Sequence, residues 1–196
     1  MFLLLTQAAG SPLLYALQPL RYHPKEPRWQ DYRHFTPDNL PDSVRSWLLD
    51  NGSLTQRLIK CSEGQFKVQV LTQQWQRPRL SEASLLGMQN RETAIVREVA
   101  LLCAGEPWVF ARSVMPASSL VGRLRRLRQF NDSSLGEMLF RDPSMRRHPF
   151  QITSIEGDSA QLPQDLQQNR TLWGRRCRFE LATRPIMVSE IFLRTF

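Results

Sequence analysis

The distribution of apolar and polar positions predicts several strands separated by short helices. Residues 66–76, FKVQVLTQQWQ, partly alternate in polarity, which is typical of a strand. Two pairs of apolar runs are each joined by a turn, and each pair predicts a β-hairpin. The first pair is ETAIVREVALLC and WVFARSVMP around AGEP, and the second is WGRRCRFEL and IMVSEIFL around ATRP. A further strand is predicted at about 148–155.

Helical segments are predicted between these strands from capping residues and leucine spacing. Asn51-Gly52 ends a helix through SVRSWLLD, and Ser53 caps a second helix, LTQRLIKC. Other helices are predicted over 81–89, over 117–130 and in LGEMLF, which follows Asp132-Ser133-Ser134, and a polar loop is predicted over 158–170. Strand pairs that follow one another, with helices between them, favour an α+β fold with an antiparallel sheet.

The length of 196 residues suits one domain with a hydrophobic core. We assign residues 1–39 to an irregular N-terminal arm and residues 40–196 to the folded domain. The apolar stretch MFLLLTQAAGSPLLYAL lacks the basic region of a signal peptide and is too short and broken to span a bilayer. We therefore expect a soluble, cytoplasmic protein with no stable membrane association.

A net charge of +8 and a pI of about 10.2 favour an anionic partner, which could be nucleic acid, a membrane surface or an acidic metabolite. Arginines are concentrated over 123–128 and 175–178, yet at helical spacing those of the first group also form a solvated face opposite leucines. No recognisable nucleic-acid-binding motif accompanies this charge, so we expect no nucleic-acid partner.

Cysteine and histidine usage indicates neither a disulfide framework nor a metal site. The three cysteines are far apart and form no C-x-x-C pair, which suits a reducing compartment. The three histidines show no metal-ligand spacing with each other or with the cysteines. The sequence also has no glycine-rich nucleotide-binding motif and no G-x-S-x-G.

Two charged residues stand within apolar strands, Arg97 in AIVREVALLC and Glu190 in IMVSEIFL. A charge is costly to bury unless it is paired or bound by a ligand, so each either faces solvent or faces a binding cavity. Glu98 adjoins Arg97 and must face the opposite side, because strand side chains alternate. Arg112 lies on the next predicted strand, and two arginines on adjacent strands could together hold a dianion.

Two predicted helix starts add a weaker device for binding anions. Leu54 follows the cap Ser53, and Leu135 follows Ser134. The first N–H groups of a helix have no partner within the helix and favour anions, although every helix has such an end.

Four stretches, taken together, resemble the chorismate pyruvate-lyase family: REVALLCAGEPWVFARSVMP (97–116), SSLGEMLF (133–140), LWGRRCRFEL (172–181) and SEIFL (189–193). They stand in the family's order and at about its spacing, and the resemblance covers roughly residues 40–194. It implies a single α+β domain whose antiparallel sheet holds a ligand beneath helical flaps. It also implies a lyase that splits chorismate into 4-hydroxybenzoate and pyruvate, the first committed step of ubiquinone biosynthesis, without a metal or organic cofactor.

The resemblance also implies roles for single residues. Arg97 and Glu190 correspond to the family's ligand-binding arginine and glutamate, and Arg112 to an arginine implicated in the site. Leu135 and Leu54 correspond to residues that contribute their backbone. Two positions depart from a family member, which has Met at the position of Leu54 and Gly at the position of Ala111. We expect a monomer that is inhibited by its product, because a buried aromatic product leaves slowly.

Three alternatives to this enzyme remain at this point. One is a non-catalytic domain of the same fold that binds or carries a ligand like 4-hydroxybenzoate, since a shared fold does not prove a shared activity. The second is an effector-binding domain of a transcription regulator, although such domains normally follow a DNA-binding domain and only a short irregular stretch precedes residue 40. The third is a basic protein that binds nucleic acid or a membrane surface, whose retention on DNA would be sensitive to salt.

Overall fold

The computed structural model describes residues 26–89, 91–130 and 133–196. The predicted N-terminal arm is therefore described only from Glu26 onward, and Asp132 also lies outside the described residues.

One antiparallel sheet of eight strands forms the centre of the described chain, and this confirms the predicted α+β class. The strands are β1 (Gln30–Asp31), β2 (Phe66–Gln76), β3 (Ala94–Cys103), β4 (Glu106–Pro116), β5 (Met145–Arg147), β6 (Gln151–Glu156), β7 (Thr171–Leu181) and β8 (Arg184–Phe192). Their order across the sheet is β1-β6-β7-β8-β4-β3-β2, with β5 beside β7. The short strands β1 and β5 had no counterpart in the sequence analysis.

The α-helices of the described residues are α1 (Asp42–Leu48), α2 (Leu54–Cys61), α3 (Leu80–Leu86) and α4 (Leu135–Arg141). The predicted cap Ser53 is confirmed, because its side chain accepts a hydrogen bond from the Gln56 main-chain N–H. Of the three residues predicted to start α4, Ser134 is the cap, and its side chain accepts a hydrogen bond from the Glu137 main-chain N–H. None of the described helices is long and apolar enough to cross a membrane.

The segment 117–130 differs from the predicted α-helix. It forms two 3₁₀ helices, Ala117–Ser119 and Gly122–Gln129, and Gly122 between them has a φ of +53°. Residues three apart share a face in a 3₁₀ helix as they do in an α-helix, so the spacing of Leu124 and Leu127 did not distinguish the two. Both leucines are buried, as the pattern predicted. In the predicted polar loop, Leu162 and Leu166 also pack into the core, around a 3₁₀ turn at Gln164–Leu166.

Both predicted hairpins are present, and each closes with a two-residue turn in the left-handed region. Ala104 and Gly105 join β3 to β4 with φ values of 51° and 84°, and Ala182 and Thr183 join β7 to β8 with φ values of 47° and 70°. Such turns match the twist of the flanking strands, which is why they are favoured in hairpins. Thr183 is β-branched, so the conformation is costly at that position.

Replacing Thr183 with glycine is therefore expected to stabilise the protein by about 1 kcal/mol, because glycine adopts this conformation without a steric penalty. Urea unfolding followed by circular dichroism would show the midpoint moving to higher denaturant at an unchanged slope. Thr171, at the start of β7 and without a positive φ, is the matched control. There the same replacement should be destabilising, since glycine weakens an ordinary strand.

Each face of the sheet is covered by a different set of elements. Helices α1, α2 and α4 and the 3₁₀ helix Gly122–Gln129 pack on one face, where two hydrophobic clusters hold the core. Helix α3 and the 157–170 loop pack on the other face. Because strand residues alternate between faces, the register between strands decides which charged groups lie under α2 and α4.

Candidate functional site

A small cavity of about 30 Å³ lies between the sheet and the starts of α2 and α4. Its floor consists of alternate residues from four strands, β2, β3, β4 and β8, and its roof comes from the two helix starts. The lining residues are Thr55, Val68, Arg97, Val99, Leu101, Ala111, Ser113, Ser134, Leu135, Gly136, Val188 and Glu190. The volume suffices for about two water molecules, so a larger ligand requires the roof to move.

Arg97 brings a positive charge to the floor of this cavity from the middle of β3. Its exposed fraction is 2%, its Nη2 donates a hydrogen bond to the Ser133 main-chain oxygen at 3.2 Å, and its guanidinium lies 5.3 Å from the centre of the Phe130 ring. These contacts hold the side chain beneath the segment that leads into α4. The structure thus places Arg97 toward a cavity and Glu98 toward the opposite face, a choice that alternation alone left open.

Glu190 reaches the same cavity from β8. One oxygen of its carboxylate, Oε2, accepts a hydrogen bond from the Nε of Arg175 at 2.6 Å, and 18% of the side chain is exposed. Arg175 lies directly opposite Glu190 on β7 and has an exposed fraction of only 1%. In the sequence, Arg175 is one of several basic residues between 175 and 178 whose role is open, because nothing local reveals its partner on the next strand.

The roof is closed by a contact between two helices that are far apart in sequence. The Oγ1 of Thr55 in α2 lies 2.6 Å from the Oγ of Ser134, the cap of α4. A Cβ at Gly136 would meet the Thr55 Oγ1 at 3.2 Å, so the glycine allows this close approach. Leu135 lines the cavity as predicted, whereas in the first turn of α2 the lining residue is Thr55 and Leu54 packs in the core.

Arg112 does not lie at the cavity, which corrects the expectation that it binds a dianion together with Arg97. Next to the turn, Cys103 of β3 pairs with Glu106 of β4. Between Leu102 and Leu101 a bulge shifts the pairing of the two strands by one residue. Without the shift Arg112 would stand opposite Arg97; with it, Arg112 stands opposite Glu98 on the other face.

On that opposite face Arg112 forms a buried ion cluster. Its Nε and Nη2 donate to the two oxygens of Glu82 at 2.7 and 3.0 Å, and its Nη1 donates to Glu98 at 2.7 Å. Burial by itself would raise the pKa of Glu82, but hydrogen bonds and attraction from Arg112 and Arg79 outweigh it and hold the pKa below its ordinary value. Nearby, burial lowers the pKa of Arg176 to about 10, against opposing attraction from Glu82 and Glu26. The charges of Arg112, Glu82 and Glu98 are thus held by one another on the face away from the cavity.

Polar and apolar wall residues beyond the predicted ones belong to the site as well. Ser113, Val99 and Val188 share the cavity face with Arg97 and Glu190, and only the strand register could have identified them. Ala111 lies in the wall, so its departure from glycine places a methyl group at the cavity.

The described residues support neither a metal site nor a reactive thiolate at Cys177. No group of three or more His, Cys, Asp or Glu residues is arranged there to hold a metal ion. Burial raises the pKa of the Cys177 thiol, which donates a hydrogen bond to the His148 main-chain oxygen at 2.9 Å. A protonated, hydrogen-bonded thiol is a poor nucleophile.

Comparison with known proteins decides the family. The sequence profile described as chorismate lyase matches residues 24–196. The chain belongs to the chorismate lyase family. A protein of Pseudomonas fluorescens strain Pf-5, named probable chorismate pyruvate-lyase, is 40% identical over 151 residues, which cover 77% of this chain and 79% of the relative. Probable chorismate pyruvate-lyase 2 of P. fluorescens strain Pf0-1 is 38% identical, over 88% of this chain and 92% of the relative.

Solved structures that resemble this member of the chorismate lyase family are more distant and inform only on the fold. The ligand-binding domain of a GntR-family transcriptional regulator from Bordetella bronchiseptica superposes with a TM-score of 0.50 at 16% identity, covering 66% of this chain and 84% of that domain. The PhnF C-terminal domain superposes with a TM-score of 0.51 at 15% identity, covering 64% and 80%. At this identity the likeness shows only that this chain shares their α+β architecture.

Proposed function

We propose that this protein is a chorismate pyruvate-lyase, which converts chorismate into 4-hydroxybenzoate and pyruvate without a metal or organic cofactor. The observation that carries the proposal is that Arg97 and Glu190, on strands of one sheet, line the same cavity beneath α2 and α4 in a chain of this family.

The cavity offers groups that suit a carboxylate of chorismate. Arg97 would bind the ring carboxylate, which the product keeps, through its guanidinium, supported by the main-chain N–H groups at the helix starts, Leu135 and Leu54. Thr55 and Ser134, whose hydroxyls now contact each other, become available to the substrate when the two helices separate. Arg112 takes no part, since its side chain is engaged on the opposite face.

The reaction breaks the ether bond between the ring and the enolpyruvyl group and removes hydrogen from the adjacent ring carbon that bears the hydroxyl. The electron pair of the C–H bond completes the aromatic ring, the ether oxygen leaves with its electron pair, and the enolate takes up one proton to become pyruvate. Glu190 would engage the ring hydroxyl through its Oε1 and orient it, or would act as the base that accepts the proton released from the C–H bond. Since aromatisation drives the reaction, positioning is the enzyme's main task.

Access to the cavity requires α2 and α4 to separate. Val68 and Ser134 line both the cavity and a surface groove of about 330 Å³, which also includes Lys67 and Glu137. We propose that substrate enters through this groove and that the roof then closes. A product under a closed roof leaves slowly, so 4-hydroxybenzoate is expected to inhibit turnover. Equal initial rates with and without added 4-hydroxybenzoate would contradict this.

The direct test mixes the purified protein with chorismate, without added metal, and quantifies both products. Equal amounts of pyruvate and 4-hydroxybenzoate are expected, and Glu190→Ala should abolish both. Glu180→Ala is the matched control, because Glu180 is a paired carboxylate on the neighbouring strand β7 that does not line the cavity. Glu190→Gln separates the two roles: unchanged turnover with weaker binding would exclude the role as a base.

The same assay distinguishes the proposal from a binding domain. Tight binding of 4-hydroxybenzoate without any product from chorismate would indicate a carrier or sensor built on this fold. A protein that neither binds 4-hydroxybenzoate nor turns over chorismate would contradict both the lyase and the binding domain.

Replacing Ala111 with leucine is expected to weaken 4-hydroxybenzoate binding by more than about ten-fold, because three added carbon atoms enter a wall of a very small cavity. Titration calorimetry measures the effect. Ala100→Leu is the matched control, since Ala100 is also buried, on the other face of the sheet. Both changes overpack the core and should lower the free energy of unfolding by about 1–3 kcal/mol, and only Ala111→Leu should weaken ligand binding.

We further propose that the protein acts in the cytoplasm as a monomer and supplies 4-hydroxybenzoate to ubiquinone biosynthesis. Its expected molecular partners are chorismate and the two products, with no nucleic acid and no stable membrane association. Size-exclusion chromatography at several concentrations tests the monomer, and loss of ubiquinone on gene deletion, restored by added 4-hydroxybenzoate, tests the pathway.

A further inference from the structure

Arg175 connects Glu190 to the end of α1 and to the turn that leads into α2. While its Nε donates to Glu190, its Nη1 donates to the main-chain oxygens of Trp47 at 2.8 Å and Asp50 at 2.7 Å. These oxygens lie at the end of α1 and in the turn that leads into α2. The last carbonyls of a helix have no partner within it and attract cations. The guanidinium of Arg175 is therefore a suitable donor to these carbonyls as well as to the Glu190 carboxylate.

The guanidinium of Arg175 is confined as well as hydrogen-bonded. It lies 4.9 Å from the centre of the Phe150 ring and 5.9 Å from that of Phe192. The planar, forked group can donate in two directions at once, to a carboxylate from Nε and to carbonyls from Nη1. A lysine ammonium at the same place would be a single point of charge on a flexible stem and could not span both partners with the same geometry.

We infer that Arg175 is a positioning residue for the reaction: it holds the Glu190 carboxylate in a fixed orientation and ties it to the α1–α2 turn, so that the roof and the carboxylate move together. This inference rests on the proposed function, because it concerns how Glu190 meets the hydroxyl of the ligand. The alternative is an ion pair that only stabilises the fold.

A pair of ligands separates the two possibilities without relying on turnover. Benzoate carries the carboxylate that Arg97 would bind but lacks the hydroxyl that Glu190 would engage, whereas 4-hydroxybenzoate has both. The ratio of their dissociation constants therefore reports the Glu190 contact. The folded wild-type protein should prefer 4-hydroxybenzoate, and Arg175→Lys should reduce that preference about ten-fold while benzoate binding stays nearly constant.

Controls on the same strand and at the partner residue sharpen the result. Arg178→Met, which removes an arginine from the other face of β7 where it pairs with Glu180, should leave the ratio unchanged. In a Glu190→Gln background, Arg175→Lys should cause no further loss, since a residue that acts through Glu190 has nothing left to position. In Arg175→Ala, millimolar guanidinium should restore part of the preference.

The outcomes that overturn the inference are distinct from those that overturn the proposed function. Folded Arg175→Lys protein with the wild-type ratio, or with both ligands weakened equally, would reduce Arg175 to a structural ion pair. A wild-type protein without preference for 4-hydroxybenzoate would also overturn it. A protein that shows the preference and its loss, yet makes no product from chorismate, would support the role of Arg175 and contradict the lyase.

Discussion

Arg97→Met is expected to lower kcat/KM for chorismate by roughly 30-fold to 4,000-fold, which corresponds to about 2–5 kcal/mol for removing one partner of a buried, hydrogen-bonded charge pair. Arg97 is almost fully buried in the cavity floor, where little water would replace its contact with a substrate carboxylate. Since the same carboxylate is present in the product, binding of 4-hydroxybenzoate should weaken in parallel. Steady-state kinetics and titration calorimetry measure the two effects.

The matched control for Arg97→Met is Arg178→Met, which removes a guanidinium from the same sheet without touching the cavity. It should retain turnover. Circular dichroism and urea unfolding must show that Arg97→Met protein is folded before its kinetics are compared. Folded Arg97→Met protein with wild-type kcat/KM would contradict the proposal that Arg97 binds the substrate.

Arg112→Met is expected to destabilise the fold by about 3–5 kcal/mol, because it leaves Glu82 buried without its principal partner. The exposed fraction of Glu82 is only 3%, and both of its carboxylate oxygens accept from Arg112. Urea unfolding at neutral pH would show a large decrease in the midpoint. Arg33→Met, which breaks an ion pair of a mostly exposed arginine with Asp31, should leave the midpoint nearly unchanged.

The effect of Arg112→Met should also depend on pH. The folded-state pKa of Glu82 is depressed, so its contribution to stability is present above the ordinary value of 4.5 and is lost as pH falls through the folded-state pKa. The difference in unfolding free energy between wild-type and Arg112→Met protein should therefore shrink under acidic conditions. A folded, stable Arg112→Met protein that had lost turnover would instead indicate that Arg112 takes part in the reaction.

Much of the fold follows from local sequence patterns. The two hairpins, strand 66–76 and the helices capped by Ser53 and Ser134 are all present, because alternation and capping act over only a few residues. The 3₁₀ helices at 117–130 were misjudged since leucines three apart suit either helix type. The strand β1 has only two residues, too few for alternation to be detected.

The candidate site was only partly predictable. Arg97 and Glu190 were recognisable as charges within apolar strands, and both line the cavity. Arg112 looked equivalent, but the bulge beyond Leu102 moves it to the opposite face, and nothing in the local polarity pattern marks that bulge. The role of Arg175 could be recognised only from its partner Glu190, which lies directly opposite it on the neighbouring strand β8.

The sequence by itself determined the α+β class, the caps, the hairpin turns and the presence of two charges that needed a partner or a ligand. The tertiary structure alone decided which face of the sheet α2 and α4 cover, and therefore which charges meet under them. The physical reason is that a period of two defines two faces without saying which is buried, and burial is set by contacts between distant segments. The contact of Thr55 with Ser134, 79 residues further along the chain, is one of these.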